Sequence, residues 1–225
     1  MVDAIAWFTA AEALGIFSFG VNAAIMAHGK GYSPLGVVLV TASSGMGGST
    51  VRDLLLGPAA LPFVWAKSPA LLLITLVFSF LYASLAPVRM VISRRDFLIK
   101  EAAEALAFAS LAAVGAAKAT LLLSENVPAD VLGGLALPML AAVIGMIGST
   151  AGLIVRDLLL FQQPSLLKGG SGVLEPALGA AFTVALLLSW GIEQPWAVLA
   201  GFMIALAVRA PVIWRRRPSV QGAKP

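Results

Sequence analysis

The stretch Gly47-Gly48-Ser49-Thr50-Val51-Arg52-Asp53-Leu54-Leu55-Leu56 closes a long apolar segment in the first half of the chain. A shortened copy, Val155-Arg156-Asp157-Leu158-Leu159-Leu160, closes another apolar segment in the second half. A further match pairs Glu12-Ala13-Leu14 with Glu104-Ala105-Leu106. Because two matches in the same order rarely arise by chance, the sequence predicts a duplicated unit.

The composition predicts that both copies lie in a membrane. Of the 225 residues, 60% are hydrophobic and 12% are charged, against about 25% charged in soluble domains. Segments such as 71–85 and 177–188 are apolar on almost all sides, and such a helix needs lipid or other helices around it. Because about 20 apolar residues cross the bilayer core, we predict seven spans near residues 5–27, 34–56, 69–92, 102–123, 132–155, 173–190 and 195–213.

The repeat determines the expected arrangement of these spans. Each copy contains three spans, an odd number, so the fourth span enters the membrane from the side opposite to the first. The predicted fold class is an all-α polytopic membrane protein, with a 3+3 inverted repeat and a seventh, peripheral helix. The predicted units are a first three-helix repeat at 1–96, a second, inverted repeat at 97–191, the seventh transmembrane helix at 192–214 and a basic cytoplasmic tail at 215–225.

The distribution of Lys and Arg predicts the orientation, since these residues concentrate on the cytoplasmic side of membrane proteins. With the amino terminus outside, twelve of the fifteen basic residues lie inside, while Arg52 and Lys67 lie outside and Lys118 lies within a span. We therefore predict a plasma-membrane protein with an external amino terminus and a cytoplasmic carboxyl terminus. The twelve inner residues are Lys30, Arg89, Arg94, Arg95, Lys100, Arg156, Lys168, Arg209, Arg215, Arg216, Arg217 and Lys224.

Other classes of function find little support in the sequence. There is no cysteine and a single histidine, His28, so neither thiol chemistry nor a metal site is expected. No nucleotide-binding loop or metal-hydrolase motif is evident, and we predict neither an enzyme nor a cofactor. The net charge of +4 arises at span ends, which favours contacts of Arg209 and the tail with anionic lipids over nucleic-acid binding.

Glycine and hydroxyl residues mark the middle of the second and fifth spans. Glycine costs about 1 kcal/mol relative to alanine inside a helix, so the glycine clusters favour a kink. Backbone carbonyls freed by a kink must meet protein, water or a cation, because lipid cannot satisfy them. Close helix packing is the alternative interpretation. The candidate pore-lining residues are Ser43, Ser44, Gly45, Gly47, Gly48, Ser49 and Thr50 of the second span, Gly145, Gly148, Ser149, Thr150 and Gly152 of the fifth, and Lys118 of the fourth.

Charged residues flank this region on both sides. Adjacent residues on one helix do not face each other, so the pairs Arg52-Asp53 and Arg156-Asp157 are expected to brace neighbouring helices or to line a vestibule. Lys118 either projects into the pathway or snorkels to the outer headgroups. In the pathway it would repel cations unless it gates, lies off the axis or accepts an acidic partner. Further candidates are Glu12, Glu104 and Glu175.

The duplicated motif resembles a known channel family. The run Glu12-Ala13-Leu14-Gly15-Ile16-Phe17-Ser18-Phe19, followed by the glycine and Arg-Asp motif at 47–57, is similar to the prokaryotic trimeric intracellular cation (TRIC) channel family, which overlaps a bacterial glycine-transporter-domain family. The resemblance covers roughly residues 5–205. It implies a homotrimer with one monovalent-cation pore in each protomer, and second and fifth spans kinked at their glycines. Gly115-Ala116-Ala117-Lys118 resembles the Gly-x-x-Lys element of the second half, whereas the animal members' Lys-Glu-Val motif is not recognisable.

Three functions remain open at this point. A passive channel with K+ or Na+ as the transported ion fits the hydroxyls and carbonyls of the two glycine-rich spans. A secondary transporter of a small zwitterion such as glycine fits the same architecture. A purely structural protein would use the glycines for packing alone.

Overall fold

The computed structural model describes residues 2–60, 69–86, 94–128, 130–167 and 172–215. Within these ranges the chain forms seven α-helices and two short 3-10 turns, and it contains no strand. The helices are α1 (Val2–Gly29), α2 (Pro34–Leu56), α3 (Pro69–Leu85), α4 (Arg94–Asn126), α5 (Ala136–Leu159), α6 (Leu174–Ser189) and α7 (Gln194–Arg215). Each of the seven predicted spans overlaps one helix, and the predicted tail after residue 215 lies outside the described residues.

The two ends of α2 follow directly from its flanking residues. The Ser33 hydroxyl accepts a hydrogen bond from the Gly36 amide at 3.2 Å, and Pro34 occupies the first helical position. Both features are typical of helix starts. At the other end Gly57 adopts a positive φ of 76°, a conformation that glycine tolerates and that terminates helices. The predicted bounds of 34–56 are therefore those observed.

Other helix bounds differ from the sequence prediction. The predicted third span at 69–92 ends as a helix at Leu85, and residues 87–93 lie outside the described ranges. The fourth span is longer than the predicted 102–123, because α4 begins at Arg94 and includes charged early turns with Asp96 and Lys100. The apolar stretch is shorter than α4, because Lys, Glu and Ala outside that stretch are also good helix formers.

The lengths of the helices suit a bilayer. Four of them, α1, α4, α5 and α7, are long and apolar enough to cross one. The apolar helices α3 and α6 have 17 and 16 residues, which extend over about 24–26 Å at 1.5 Å per residue. Helix α2 has 23 residues but carries a polar stretch and a buried Arg-Asp pair. Residues of this kind inside a membrane domain face other helices rather than lipid.

The helix contacts repeat between the two halves. In the first half α1, α2 and α3 all pack against one another, and in the second half α4, α5 and α6 do the same. The halves join through α1 against α4 and through α2 against α5, which are equivalent helices in the two repeats. The predicted seven-helix fold with a 3+3 repeat is therefore confirmed. The limits of the separate units at residues 96 and 191 stay predictions.

The core is built around α4, which contacts α1, α5, α6 and α7. Most of its buried positions between 103 and 119 are alanines, and such small side chains allow several helices to approach one axis closely. Phe19 of α1 and Phe108 of α4 stack edge to face with ring centroids 5.3 Å apart. Helix α7, predicted to be peripheral, packs against α4 and α6.

Candidate functional site

Helices α2 and α5 cross at equivalent glycines. A Cβ atom added to Gly48 would collide with the carbonyl oxygen of Gly148, and one added to Gly152 would collide with that of Ser44. The two contacts are equivalent, because Ser44 and Gly48 precede Arg52 by the same numbers of residues as Gly148 and Gly152 precede Arg156. Glycine is required here because the two backbones touch.

Further glycines extend this close contact to α4. A Cβ at Gly145 would lie 2.7 Å from the amide nitrogen of Ala116, and one at Gly115 would lie 3.0 Å from the Cα of Gly145. A Cβ at Gly148 would lie 2.8 Å from the Arg52 side chain. Both α2 and α5 run as continuous α-helices through the region. The close-packing interpretation thus accounts for these glycines, and the kink remains a prediction.

The hydroxyl groups of the region fall into two kinds. Ser49 and Thr150 donate to carbonyls of their own helices at 3.1 and 2.8 Å, as does Ser149 at 2.8 Å. By contrast, the buried hydroxyls of Thr41 and Ser44 have no hydrogen-bond partner in the described part of the chain. Buried hydroxyls normally find a partner, so these two oxygens are available to a water molecule or a small cation. Ser43 is less buried and donates to the Leu39 carbonyl at 2.9 Å.

A cluster of four charged side chains, here called the first cluster, lies at the end of α2. Arg52 Nη2 lies 2.7 Å from Glu12 Oε1 and 2.7 Å from Asp53 Oδ1. Lys118 Nζ lies 2.8 Å from the same Asp53 oxygen and donates to the Ala60 carbonyl at 3.1 Å. Arg52, Asp53 and Glu12 are almost fully buried, and the Lys118 side chain is 13% exposed. Two positive and two negative groups make the first cluster neutral.

An equivalent second cluster lies at the end of α5. Arg156 contacts Asp157 Oδ1 at 2.6 Å through Nη2 and lies 3.5 Å from Glu104 Oε2 through Nη1. The same Nη1 donates to the side-chain oxygen of Asn22 on α1. Asp157 also accepts from Gln162 at 2.9 Å and from the Ser165 amide at 2.6 Å. The loop after α5 therefore folds back onto this carboxylate.

Helix α7 adds a cation to the second cluster. Arg209 is 1% exposed, and its Nη2 lies 2.8 Å from Glu104 Oε1 and 3.3 Å from Glu101 Oε2. Its Nη1 donates to the Gly172 carbonyl at 2.6 Å. The prediction that Arg209 anchors the protein to lipid headgroups is therefore wrong. Hydropathy could not reveal this contact, because Arg209 and Glu104 are distant in sequence.

The observed ion pairs refine two predictions. Adjacent Arg and Asp were expected not to face each other, yet Arg52 Nε donates to Asp53 Oδ1 at 2.8 Å and Arg156 Nε to Asp157 Oδ1 at 2.8 Å. In each pair the long arginine side chain bonds the adjacent aspartate and also contacts a glutamate of another helix. Lys118 has the acidic partner that the sequence left as one option, so its ammonium is held by Asp53 rather than by headgroups.

Other functional elements can be placed as well. Within the described ranges, no three His, Asp or Glu side chains are grouped so that they could hold a metal ion. Glu175 is exposed in the first turn of α6 and takes part in neither cluster. The site residues that the sequence did not single out are Asn22, Glu101, Gln162 and Ser165.

Relatives found by sequence are membrane proteins. The glycine transporter family matches residues 9–87. A UPF0126 membrane protein of Vibrio cholerae serotype O1 is 25% identical over 206 residues, which cover 90% of this chain and 77% of the relative. The UPF0126 inner membrane protein YadS of Escherichia coli K12 is 23% identical over 202 residues, covering 90% of this chain and 89% of the relative.

Solved structures extend the likeness to nearly the whole chain. A TRIC trimeric intracellular cation channel orthologue from Rhodobacter sphaeroides is 28% identical, with a TM-score of 0.74 over 95% of this chain and 99% of the other. This chain has the TRIC fold. A second TRIC cation channel structure, 22% identical, gives a TM-score of 0.73 over 95% and 98% of the two chains. The predicted resemblance is confirmed, and the protein is a multi-pass helical membrane protein.

The two clusters are built from equivalent parts of the two repeats. Each repeat contributes one crossing helix that ends in Arg-Asp and one helix with the glutamate that contacts the arginine. The two clusters therefore flank the α2–α5 crossing at opposite ends of the repeat pair.

Proposed function

We propose that this protein is a channel for monovalent cations, K+ or Na+, and that a pathway runs between the two repeats of each protomer. The observation that carries the proposal is the TRIC fold over 95% of the chain, at 28% identity to the Rhodobacter sphaeroides channel orthologue. The fold is that of a membrane channel family, and this likeness favours transport over enzymatic chemistry.

The proposed pathway passes the α2–α5 crossing. Hard monovalent cations prefer oxygen ligands such as hydroxyls and carbonyls. Ser44, whose carbonyl faces Gly152 at the crossing, supplies a buried hydroxyl that has no hydrogen-bond partner among the described residues. Close approach of the backbones at Gly48 and Gly152 makes the crossing narrow. We assign the waist to this crossing, with the sequence-predicted serines, threonines and glycines around it.

The proposed gate is the contact between Lys118 and Asp53. While Lys118 Nζ lies 2.8 Å from Asp53 Oδ1, the first cluster is neutral and its net charge does not attract an ion. Two unit charges about 4 Å apart interact by about 4 kcal/mol at an effective dielectric near 20. A free ammonium at that distance would repel a cation by as much. Displacing Lys118 from Asp53 would therefore leave the first cluster with a net negative charge that attracts a cation.

Single-channel recording of purified protein in planar bilayers tests the proposal. We expect unitary cation currents in symmetric potassium from the parent chain. Lys118→Gln should raise conductance or open probability several-fold, since it removes the unit charge described above, and Lys118→Glu should raise it further and add calcium permeation in mixed potassium and calcium.

Two outcomes would contradict different parts of the proposal. Absence of unitary steps from folded parent protein would remove the channel function. Parent-like currents in both Lys118 variants would remove Lys118 from the pathway while leaving the channel intact.

A secondary transporter of a small zwitterion such as glycine is the second candidate. It is favoured by the match of the glycine transporter family to residues 9–87, and inverted repeats also support alternating access. Slow, saturable glycine counterflow in vesicles, without unitary currents, would select this function.

We further propose a homotrimer with an external amino terminus, a cytoplasmic carboxyl terminus and anionic-lipid contacts at the basic tail. The similar structure from Rhodobacter sphaeroides is that of a trimeric channel orthologue, and the distribution of basic residues supports the orientation. Engineered thiols near Val2 and Val220 test the orientation in intact cells. We expect an impermeant reagent to label the first and spare the second, and the reverse pattern would invert the topology.

A further inference from the structure

The seventh helix, which lies outside the repeat, reaches into the second cluster through one side chain. Arg209 is buried, and three acceptors from two other parts of the chain hold its guanidinium: Glu101 and Glu104 of α4, and the carbonyl of Gly172 just before α6. Gly172 has a positive φ of 57°, and a Cβ there would lie 3.0 Å from Val212 of α7. Gly172, which packs closely against α7 and accepts from Arg209, thus helps to set the position of the guanidinium.

The two clusters differ at the glutamate that Arg209 contacts. In the first cluster Glu12 Oε1 lies 2.7 Å from Arg52 Nη2. In the second cluster the equivalent distance, from Glu104 Oε2 to Arg156 Nη1, is 3.5 Å. Glu104 directs its other oxygen to Arg209 at 2.8 Å. A single carboxylate charge is therefore shared between two arginines.

We propose that Arg209 is a positioning residue for the second end of the pathway: by binding Glu104, it weakens the hold of Glu104 on Arg156 and favours the open state of that end. The inference rests on the proposed channel function. Glu104 carries one negative charge, and the guanidinium groups of Arg209 and Arg156 compete for its oxygens. The attraction is stronger for the group that lies closer. Without Arg209, the charge of Glu104 would act on Arg156 alone, through their 3.5 Å contact and through Asn22, which accepts from Arg156 Nη1 and donates to Glu104 Oε2 at 3.3 Å. The second cluster would then be held closed more firmly.

Glu101 gives the inference a test in the opposite direction. Glu101 also binds Arg209, at 3.3 Å, and contacts Lys100 at 3.1 Å. Removing the Glu101 charge should direct Arg209 more fully to Glu104 and free Arg156 further. A residue that only stabilises the fold would not produce opposite functional effects from its own loss and from the loss of its partner.

Single-channel recording of four variants tests this positioning role independently of the amount of folded protein. We expect Arg209→Gln to lower open probability roughly fivefold or more with unit conductance unchanged, Arg209→Lys to recover part of the loss, and Glu101→Gln to raise open probability. Arg95→Gln is the matched control, because it removes an exposed positive charge from the same end of α4 and should behave like the parent.

A double-mutant cycle with Glu104→Gln completes the test. If Arg209 acts through Glu104, Arg209→Gln should have little further effect once Glu104 is neutral. Full additivity in the cycle, or equal behaviour of Arg209→Gln and Arg95→Gln, would overturn the inference. If Arg209→Gln does not fold, a fall in open probability in Glu101→Gln overturns it alone. Currents absent from the parent as well would instead indicate that the channel function itself is wrong.

Discussion

The two ends of the α2–α5 pair begin from the same motif and end in different networks. At the α2 end, Asp53 binds Arg52 and Lys118, while its second oxygen has no hydrogen-bond partner among the described residues. At the α5 end, both oxygens of Asp157 are engaged, one of them by the Ser165 amide. Each carboxylate is bound by the adjacent arginine, but the first is also held by an ammonium group and the second by a backbone amide and a side-chain amide.

This difference shows what duplication preserves and what it allows to diverge. The backbone contact at the crossing is equivalent in the two halves, because any side chain on Gly48 or Gly152 would collide with the facing carbonyl. The charged groups beyond it have changed partners: Lys118 lies only at the first end, and Arg209 only at the second. Helix packing tolerates little variation, whereas a neutral group of charges can be assembled from several helices.

Neutralising the aspartates at the two ends should give the largest and most unequal effects. Removing one partner of a buried ion pair costs about 3–5 kcal/mol, and Asp53→Asn leaves Arg52 and Lys118 with Glu12 as their remaining carboxylate in the first cluster. We expect that full cost for Asp53→Asn. Asp157→Asn should cost less, because Arg156 keeps Glu104 and Asn22. Unfolding in mixed micelles with increasing dodecyl sulfate measures both free energies.

The double variant Asp53→Asn/Lys118→Gln is the control for this comparison. It restores neutrality to the first cluster and should recover about 1 kcal/mol or more of the loss, within the usual range of coupling between contacting residues. Equal costs for the two single aspartate variants would show that the ends are energetically equivalent despite their different partners. A double variant that is simply additive would show that Asp53 and Lys118 are not coupled.

Much of the fold was accessible from sequence because its signals are local. The Ser33-Pro34 start and the Gly57 end determined α2, and apolar stretches located the other spans. The repeat was visible because Arg52-Asp53 and Arg156-Asp157 recur in equal surroundings. The site was less accessible, since its partners are brought together only by packing: Lys118 is 65 residues from Asp53, and Arg209 is 105 residues from Glu104.

The glycines are a feature whose role the sequence alone could not decide, and the reason is physical. A run of glycine inside a helix fits both a kink that frees carbonyls and a close helix crossing, because both need the missing Cβ. Only the position of the neighbouring backbone distinguishes the two, and it favours the crossing for Gly48 and Gly152. Similarly, the sequence contains no signal that α7 would direct Arg209 inward rather than towards lipid.

Alanine substitution at the crossing should give smaller effects that, unlike those at the two ends, are equal in the two halves. In each case the added methyl group collides with a carbonyl oxygen of the facing helix, so α2 and α5 must separate. Overpacking of this kind costs about 1–3 kcal/mol, and we expect Gly48→Ala and Gly152→Ala to destabilise the protein alike.

Gly47→Ala is the matched control, because a Cβ there would have its nearest neighbour at 3.5 Å, which is an ordinary contact. Alanine also favours the helix by about 1 kcal/mol over glycine. Thermal unfolding of the three variants in one detergent provides the measurement. Destabilisation by Gly47→Ala comparable to that by Gly48→Ala would contradict the close crossing, and a large difference between Gly48→Ala and Gly152→Ala would show that the asymmetry of the ends extends into the crossing itself.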